Sequence, residues 1–129
     1  MYFLHPATVR VTTIHCTMPE RFRRRGDRSA WADANRGGVP IDSFLEGPVV
    51  DAAGNLYVTD IPFGRIFRIT PTLEWELVAE YEGEPNGMKL LDAERLLVTD
   101  YRNGLMQVEI RTGRVSAFLE RRKPVFSGN

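Results

Sequence analysis

A chain of 129 residues with 43% hydrophobic residues is long enough to bury one modest core. Its 17 basic and 17 acidic residues balance, so the overall charge favours neither nucleic acid nor an anionic membrane as a partner. One cysteine, Cys16, excludes an internal disulfide framework and fits a reducing compartment. No apolar run reaches the ~18 residues of a membrane-spanning helix. We therefore expect a cytoplasmic protein.

Residues 1–40 differ from the rest of the chain, and we expect them to form a leader with one short helix. The stretch from Val9 to Ile14 predicts a short strand, because its β-branched residues recur along it. The alanine-rich run 29–36 precedes two glycines. This pattern predicts two helical turns with a glycine stop, and Trp31 is expected to pack against the sheet.

A basic cluster lies between Pro19 and Gly26 and contains four arginines. Such a cluster could hold phosphate or RNA. However, one short cluster in a chain of balanced charge fits a solvated turn better. Both interpretations stay open at this point.

From residue 41 onward the sequence repeats itself with a constant displacement. Gly47, Asp60 and Gly64 return 40 residues later as Gly87, Asp100 and Gly104. Short strands separated by Gly and Asp turns, at a period of about 40 residues, are typical of β-propeller blades. We therefore predict an all-β fold in which residues 41–129 contain about two four-stranded blades.

The predicted strands of the first blade are 48–50, 56–59, 65–69 and 75–79, and those of the second are 88–91, 95–99, 105–110 and 115–119. Glycine, asparagine and aspartate supply the turns between them. The third strands are out of phase by one residue, because Phe67 matches Val108 rather than the residue before it. A bulge or a longer turn is expected to absorb this difference.

Glu46 and Asn86 hold equivalent positions in the two blades. In a meander blade the first strand lies at the central channel. The segment leading into this strand and the turn after the second strand then share one rim. Carboxylate and amide oxygens there suit a hard divalent cation. The spacing is equally consistent with residues that only cap tight glycine turns.

Two further residues lie on the turns that share this rim. Phe63 follows the second strand of the first blade, and Arg102 follows that of the second. We predict that both line the path of a substrate, where an arginine could bind a carboxylate or phosphate. A solvent-exposed arginine with no such role is the alternative for Arg102.

The run Phe44-Leu45-Glu46-Gly47-Pro48, followed by Asn55-Leu56-Tyr57-Val58-Thr59-Asp60-Ile61-Pro62-Phe63-Gly64, resembles the first blade of the gluconolactonase/regucalcin (SMP-30-like) family. Gly83-Glu84-Pro85-Asn86-Gly87 resembles the second blade of bacterial-type members. The resemblance covers residues 40–129. It implies the N-terminal fragment of a six-bladed β-propeller with one divalent metal, calcium or zinc. It also implies hydrolysis of sugar lactones and related esters.

The resemblance also assigns roles to residues. Glu46 matches the metal ligand in the family's Glu-Gly-Pro motif. Asn86 lies in a Pro-Asn-Gly of the second blade, which does not carry the ligand in animal members, so its assignment as a ligand is weaker. Asn129 ends a stretch similar to the start of a family segment whose asparagine contacts substrate. The family's other ligands, and the aspartate that accepts a proton, would lie beyond residue 129.

We therefore expect a metal-dependent sugar-lactone hydrolase whose site is incomplete in this chain. The alternative is a non-catalytic β-propeller fragment, acting as an interaction module or surviving as a relic. The expected partner is a small-molecule lactone, with neither nucleic acid nor membrane. Two blades leave open faces, so we predict that the isolated chain is marginally folded and self-associates through these faces.

Overall fold

The computed structural model describes residues 8–120 and contains two antiparallel four-stranded sheets and one short α-helix. Blade 1 has the strand order β1-β2-β3-β4, and blade 2 has the order β5-β6-β7-β8. Neither sheet of the described part closes on itself. The predicted all-β architecture of two four-stranded blades with a helical leader is therefore confirmed.

The strands of blade 1 are β1 (Leu45–Val50), β2 (Leu56–Asp60), β3 (Arg65–Ile69) and β4 (Trp75–Glu80). Those of blade 2 are β5 (Pro85–Leu90), β6 (Arg95–Asp100), β7 (Gly104–Glu109) and β8 (Val115–Glu120). All eight predicted strands are present. The first strand of each blade begins three residues earlier than predicted, because glycine and proline residues at its start obscure the β pattern.

A β-bulge interrupts the first strand of each blade at the same place. It lies between Glu46 and Val49 in β1, and between Pro85 and Met88 in β5. Gly47 adopts a φ of +56° in the β1 bulge, and a Cβ there would lie 2.1 Å from the carbonyl oxygen of Asn86. Only glycine allows the two first strands to approach this closely.

The third strands are out of phase, but the predicted match of Phe67 with Val108 is wrong. Phe67 opposes Val58, and the residue opposite Val98 is Met106. Phe67 therefore corresponds to Met106. The cause is a shorter turn in blade 2, where residues 101–103 join the strands that residues 61–64 join in blade 1.

The main core lies between the two blades. Blade 1 contributes Tyr57, Ile66 and Ala79, and blade 2 contributes Leu96, Val98 and Val108. Each of these side chains is at most 5% exposed. Burying a large apolar side chain stabilises the fold by about 1.5–3 kcal/mol, so this core holds the blades together.

A second core lies on the opposite face of blade 1, which we call the covered face and define as Val58, Phe67, Ile69 and Trp75. Residues 16–25, here called the capping segment, lie on it. Met18 is 5% exposed in this cluster, and Cys16 and Phe22 pack against it. The rings of Phe22 and Phe67 lie 5.0 Å apart.

The predicted strand from Val9 to Ile14 is wrong. Residues 8–19 contain no strand, and the side chains of Val9, Val11 and Ile14 are 83–91% exposed. A strand needs a neighbour to pair its backbone groups, and these residues have no paired strand in the described part of the chain.

The predicted helix is present as α1 (Ala30–Arg36). The side chain of Ser29 accepts the Ala32 N–H, and Gly37 ends the helix in the left-handed region. Trp31 was expected to pack against the sheet; it packs on Phe44, the residue before β1, with ring centroids 4.9 Å apart, and so lies at the rim of blade 1. The reason is that Ser29 Oγ donates a hydrogen bond to the carbonyl of Pro62, which anchors the helix to the β2–β3 turn.

The arginines of the basic cluster pair with groups of this same chain. Arg21 donates to the carbonyl of Trp75, and Arg23, Arg24 and Arg25 form ion pairs with Asp42, Glu80 and Glu20 respectively. These contacts fasten the capping segment to blade 1 and to the segment before β1.

Within residues 8–120, no helix has the length and apolar character needed to cross a bilayer.

Candidate functional site

A cavity of about 550 Å³ lies at the rim where β1 and β5 begin. Its polar lining includes Glu46, Glu84 and Asn86, and its aromatic lining consists of Trp31, Phe44 and Tyr101. The structure therefore brings the two predicted metal-binding residues, Glu46 and Asn86, to one cavity. Helix α1 forms part of the wall.

The paired strands keep Glu46 and Asn86 at equivalent positions. Leu45 opposes Asp60 in blade 1, and Pro85 opposes Asp100 in blade 2, so the next residue in each strand is Glu46 or Asn86. Both residues are exposed. Glu46 is the last paired residue before the bulge of β1, and Asn86 is the first residue inside the bulge of β5. Bulges change the direction in which nearby side chains point.

Two buried aspartates fix the segments that carry these residues. Asp60 Oδ1 accepts a hydrogen bond from the amide of Phe44 at 2.8 Å. Asp100 Oδ2 accepts one from the amide of Glu84 at 3.0 Å. Because Phe44 and Glu84 lie two residues before Glu46 and Asn86, each aspartate holds one side of the cavity. Sequence reasoning used both aspartates only as markers of the repeat and missed this role.

Blade 1 adds an ion pair that blade 2 lacks at the corresponding position. Arg65 Nε donates to Asp60 Oδ2 at 2.9 Å, and Arg65 Nη1 donates to the carbonyl of Phe22 at 2.8 Å. The side chains are 4% and 0% exposed. Gly104 opposes Asp100 where Arg65 opposes Asp60. One buried arginine thus links the capping segment to the aspartate that supports the cavity.

Two threonines hold the bulge of β5. Thr59 Oγ1 donates to the carbonyl of Asn86 at 2.9 Å and joins the blades directly. Thr99 Oγ1 accepts the Gly87 N–H at 3.0 Å and donates to the carbonyl of the same residue at 3.1 Å. The peptide that carries Asn86 is therefore fixed from both sides.

The ring of Tyr81 lies near Asp100 and against Gly83, the residue before Glu84. Its hydroxyl is buried and has no hydrogen-bond partner in residues 8–120. Burial first, and the nearby Asp100 carboxylate second, raise the pKa of Tyr81 above its ordinary value. Tyr81 therefore stays protonated at neutral pH and cannot supply a base to the cavity.

The predicted substrate-contacting residues occupy the predicted turns, but their side chains do not line the cavity. The ring of Phe63 lies 5.5 Å from the Arg24 guanidinium and 5.2 Å from that of Arg65. Arg102 donates to Glu82 Oε1 at 3.0 Å. Its neighbour Tyr101 lines the cavity instead. Substrate contact by Phe63 and Arg102 stays a prediction, and Asn129 lies outside the described residues.

The cavity offers oxygen ligands from two carboxylates, Glu46 and Glu84, and from two amides, Asn35 and Asn86. Within residues 8–120, no group of three or more His, Cys, Asp or Glu side chains is placed to hold a metal ion. As it stands, the cavity can orient a small polar molecule or supply part of a coordination shell.

No family model, curated protein or solved structure matches the chain.

Proposed function

We propose that this chain supplies Glu46 and Asn86 to the divalent-metal site of a sugar-lactone hydrolase. The observation that supports this is that both side chains line one cavity from equivalent positions on β1 and β5. The resemblance of the Glu-Gly-Pro segment to lactonases motivates the choice of reaction.

The donor set fits a hard cation in part. Glu46, Glu84 and Asn86 offer only oxygen, which suits calcium or magnesium better than zinc, because zinc sites are usually built from His and Cys. Three side chains do not fill the six to eight positions that calcium takes. The remaining ligands would be water, substrate or groups outside the described residues.

A bound divalent cation would polarise a lactone carbonyl and lower the pKa of a coordinated water. In this scheme the carboxylate of Glu46 and the amide oxygen of Asn86 would hold the cation. Trp31, Phe44 and Tyr101 provide an apolar wall for the carbon face of a sugar ring. Asp60 and Asp100 act indirectly, because they hold the backbone that presents the ligands.

The test measures calcium and zinc binding by calorimetry, together with hydrolysis of neutral sugar lactones. Both measurements are made on the 129-residue chain and on a chain extended by the downstream reading frame. We expect calcium binding that requires Glu46 in both chains, and lactone hydrolysis in the extended one. Metal binding that is unchanged in a Glu46→Gln variant would contradict the proposal.

The second candidate is a non-catalytic interaction module. One observation favours it: blade 2 presents apolar side chains on the face turned away from blade 1, including Phe118 at 55% and Leu119 at 67% exposure. An extended chain that binds no metal and hydrolyses no lactone, yet binds a protein through this face, would support the module over the enzyme.

A further inference from the structure

The face that blade 1 turns towards blade 2 has an equivalent face on blade 2. In residues 8–120 no further blade packs on that equivalent face. In blade 1 the side turned towards blade 2 carries Val49 on β1 and four apolar residues on the other three strands: Tyr57, Ile66, Val78 and Ala79. The strand pairing assigns these four positions in blade 2 to Leu97, Leu105, Phe118 and Leu119, and that of Val49 to Lys89. We call the four apolar residues of blade 2 the open face.

The open face keeps the apolar character of its counterpart but remains half-buried or exposed in the described structure. Val78 and Phe118 are the extra residues of equivalent bulges in β4 and β8. The positions whose side chains join blade 1 to blade 2 therefore recur on blade 2. There, no other blade of the described structure covers them. Contiguous apolar surface of this kind marks an interaction site.

The covered face of blade 1 is the complementary surface. Its four positions, Val58, Phe67, Ile69 and Trp75, correspond to Val98, Met106, Val108 and Val115, which pack against blade 1 in the main core. In blade 1 the capping segment occupies this surface. The capping segment therefore lies where the repeat would place another blade.

The contacts of the capping segment suit a displaceable element. Its apolar contribution is confined to Cys16, Met18 and Phe22. Its remaining side-chain contacts with the rest of the chain include two hydrogen bonds to carbonyls, Arg21 to Trp75 and Arg65 to Phe22, and two ion pairs, Arg23 with Asp42 and Arg24 with Glu80, of which the last is exposed. Exposed ion pairs contribute little to stability, so a whole blade can offer the covered face more apolar surface than this segment does.

We propose that the capping segment is a removable cap on a blade-docking face, and that its release lets a second copy of this chain dock there through its open face. The contact is head-to-tail, because the covered face of one copy meets the open face of the next. It repeats the geometry that already joins blade 2 to blade 1. A heterologous contact of this kind builds a ring or an open chain of copies. This inference does not depend on the metal site.

The test uses the full chain with the cap loosened by Met18→Ser and Phe22→Ser, since both side chains belong to the capping segment and leave the blades unaltered. The rate of Cys16 alkylation reports cap release, because Cys16 packs on the covered face. Light scattering after size exclusion reports mass. We expect faster alkylation and a mass at least double that of the parent monomer.

A third substitution identifies the surface involved. Leu119→Glu, added to the loosened chain, should restore the monomer while alkylation stays fast. Ala93→Glu, on an exposed turn that lies beside the β1–β2 turn of blade 1, should leave the association intact. If the circular dichroism spectrum shows that the double variant has lost its β-sheet, the milder Phe22→Ala variant replaces it in the same measurements.

Three results would overturn the proposal. The first is a released cap in a chain that stays monomeric. The second is a larger species in which Cys16 is alkylated as slowly as in the parent, since this means that two open faces meet with both caps in place. The third is alkylation that no loosened variant accelerates.

Discussion

The buried hydroxyl of Thr59 in blade 1 donates a hydrogen bond to the carbonyl of Asn86 in blade 2 at 2.9 Å. This bond crosses the junction of the blades beside the cavity. It positions the peptide next to the side chain that we assign to the metal site. Stability of the junction and geometry of the site are therefore coupled through one side chain.

Thr59→Val tests this coupling. Valine keeps the shape of threonine but leaves the Asn86 carbonyl without its partner, so we expect unfolding free energy to fall by about 1–3 kcal/mol. Thr99→Val is the matched control, because Thr99 is exposed and bonds only within blade 2. Denaturant unfolding measures both variants. Equal losses in the two variants would show that the inter-blade bond of Thr59 stabilises the fold no more than the bonds of Thr99 within blade 2.

Gly47→Ala should disrupt the approach of β1 to β5. A Cβ at Gly47 would lie 2.1 Å from the Asn86 carbonyl oxygen, whereas one at Gly54 would meet Pro71 at 3.4 Å. Both glycines have positive φ, so Gly54→Ala carries the conformational strain without the collision. We expect Gly47→Ala to lower stability by about 1–3 kcal/mol more than Gly54→Ala, as overpacking does. Thermal melts that coincide for the two variants would contradict this.

Arg65→Met should strongly destabilise the chain. It leaves the Asp60 carboxylate buried without its cation, and breaking such a pair costs about 3–5 kcal/mol. Arg68→Met is the control, because the Arg68–Glu76 pair lies partly in solvent and is expected to contribute about 1 kcal/mol or less. Chemical unfolding gives both values. A loss as small as that of the control would mean that Asp60 is satisfied without Arg65.

Glu46→Gln removes the negative charge that we assign to the metal. In a chain extended by the downstream reading frame, we expect metal affinity or metal-dependent turnover to fall at least about a hundredfold, the upper end for loss of a residue that only supports a metal ligand. Glu94→Gln, on the exposed β5–β6 turn, should change neither quantity. Calorimetric metal titration separates loss of the ion from loss of fold. Full metal-dependent turnover in Glu46→Gln would remove Glu46 from the site.

Acid should loosen the attachment of the leader. The hydrogen bond from Arg23 to Asp42, 2.8 Å long, lowers the pKa of Asp42 below its ordinary value near 3.8. A carboxyl group whose pKa is lower in the folded chain than in the unfolded chain adds to the free energy of unfolding. This contribution is present above the unfolded-state pKa of about 4 and is lost as the pH falls through the folded-state pKa.

At pH 7 we therefore expect the unfolding free energy of the wild type to exceed that of Asp42→Asn by about 1 kcal/mol or less. This gap between the two chains should close in acid. Arg23→Gln should remove the same pH-dependent component. Unfolding curves at pH 7 and in acid measure the gap, and a gap that persists in acid would exclude the carboxylate as its source.

The strands and their period could be predicted because their signals are local. Leu56–Asp60 is rich in β-forming side chains and lies between two turns, and Asp100 repeats Asp60 forty residues later. The same local pattern predicted that Glu46 and Asn86 occupy equivalent positions. Phe67 was matched to the wrong residue because the length of a turn, and not strand composition, sets the phase of the strand after it.

The sequence by itself therefore determined the all-β repeat, the short helix with its glycine stop, and the candidate ligands. Only the tertiary structure decided that Met18 and Phe22 cover blade 1, that Trp31 lies at the rim, and that Arg65 joins the capping segment to Asp60. The physical reason is that hydrophobic burial is non-directional. An apolar face specifies that it must be covered, but which distant segment covers it depends on shape and hydrogen bonds between residues far apart in the chain.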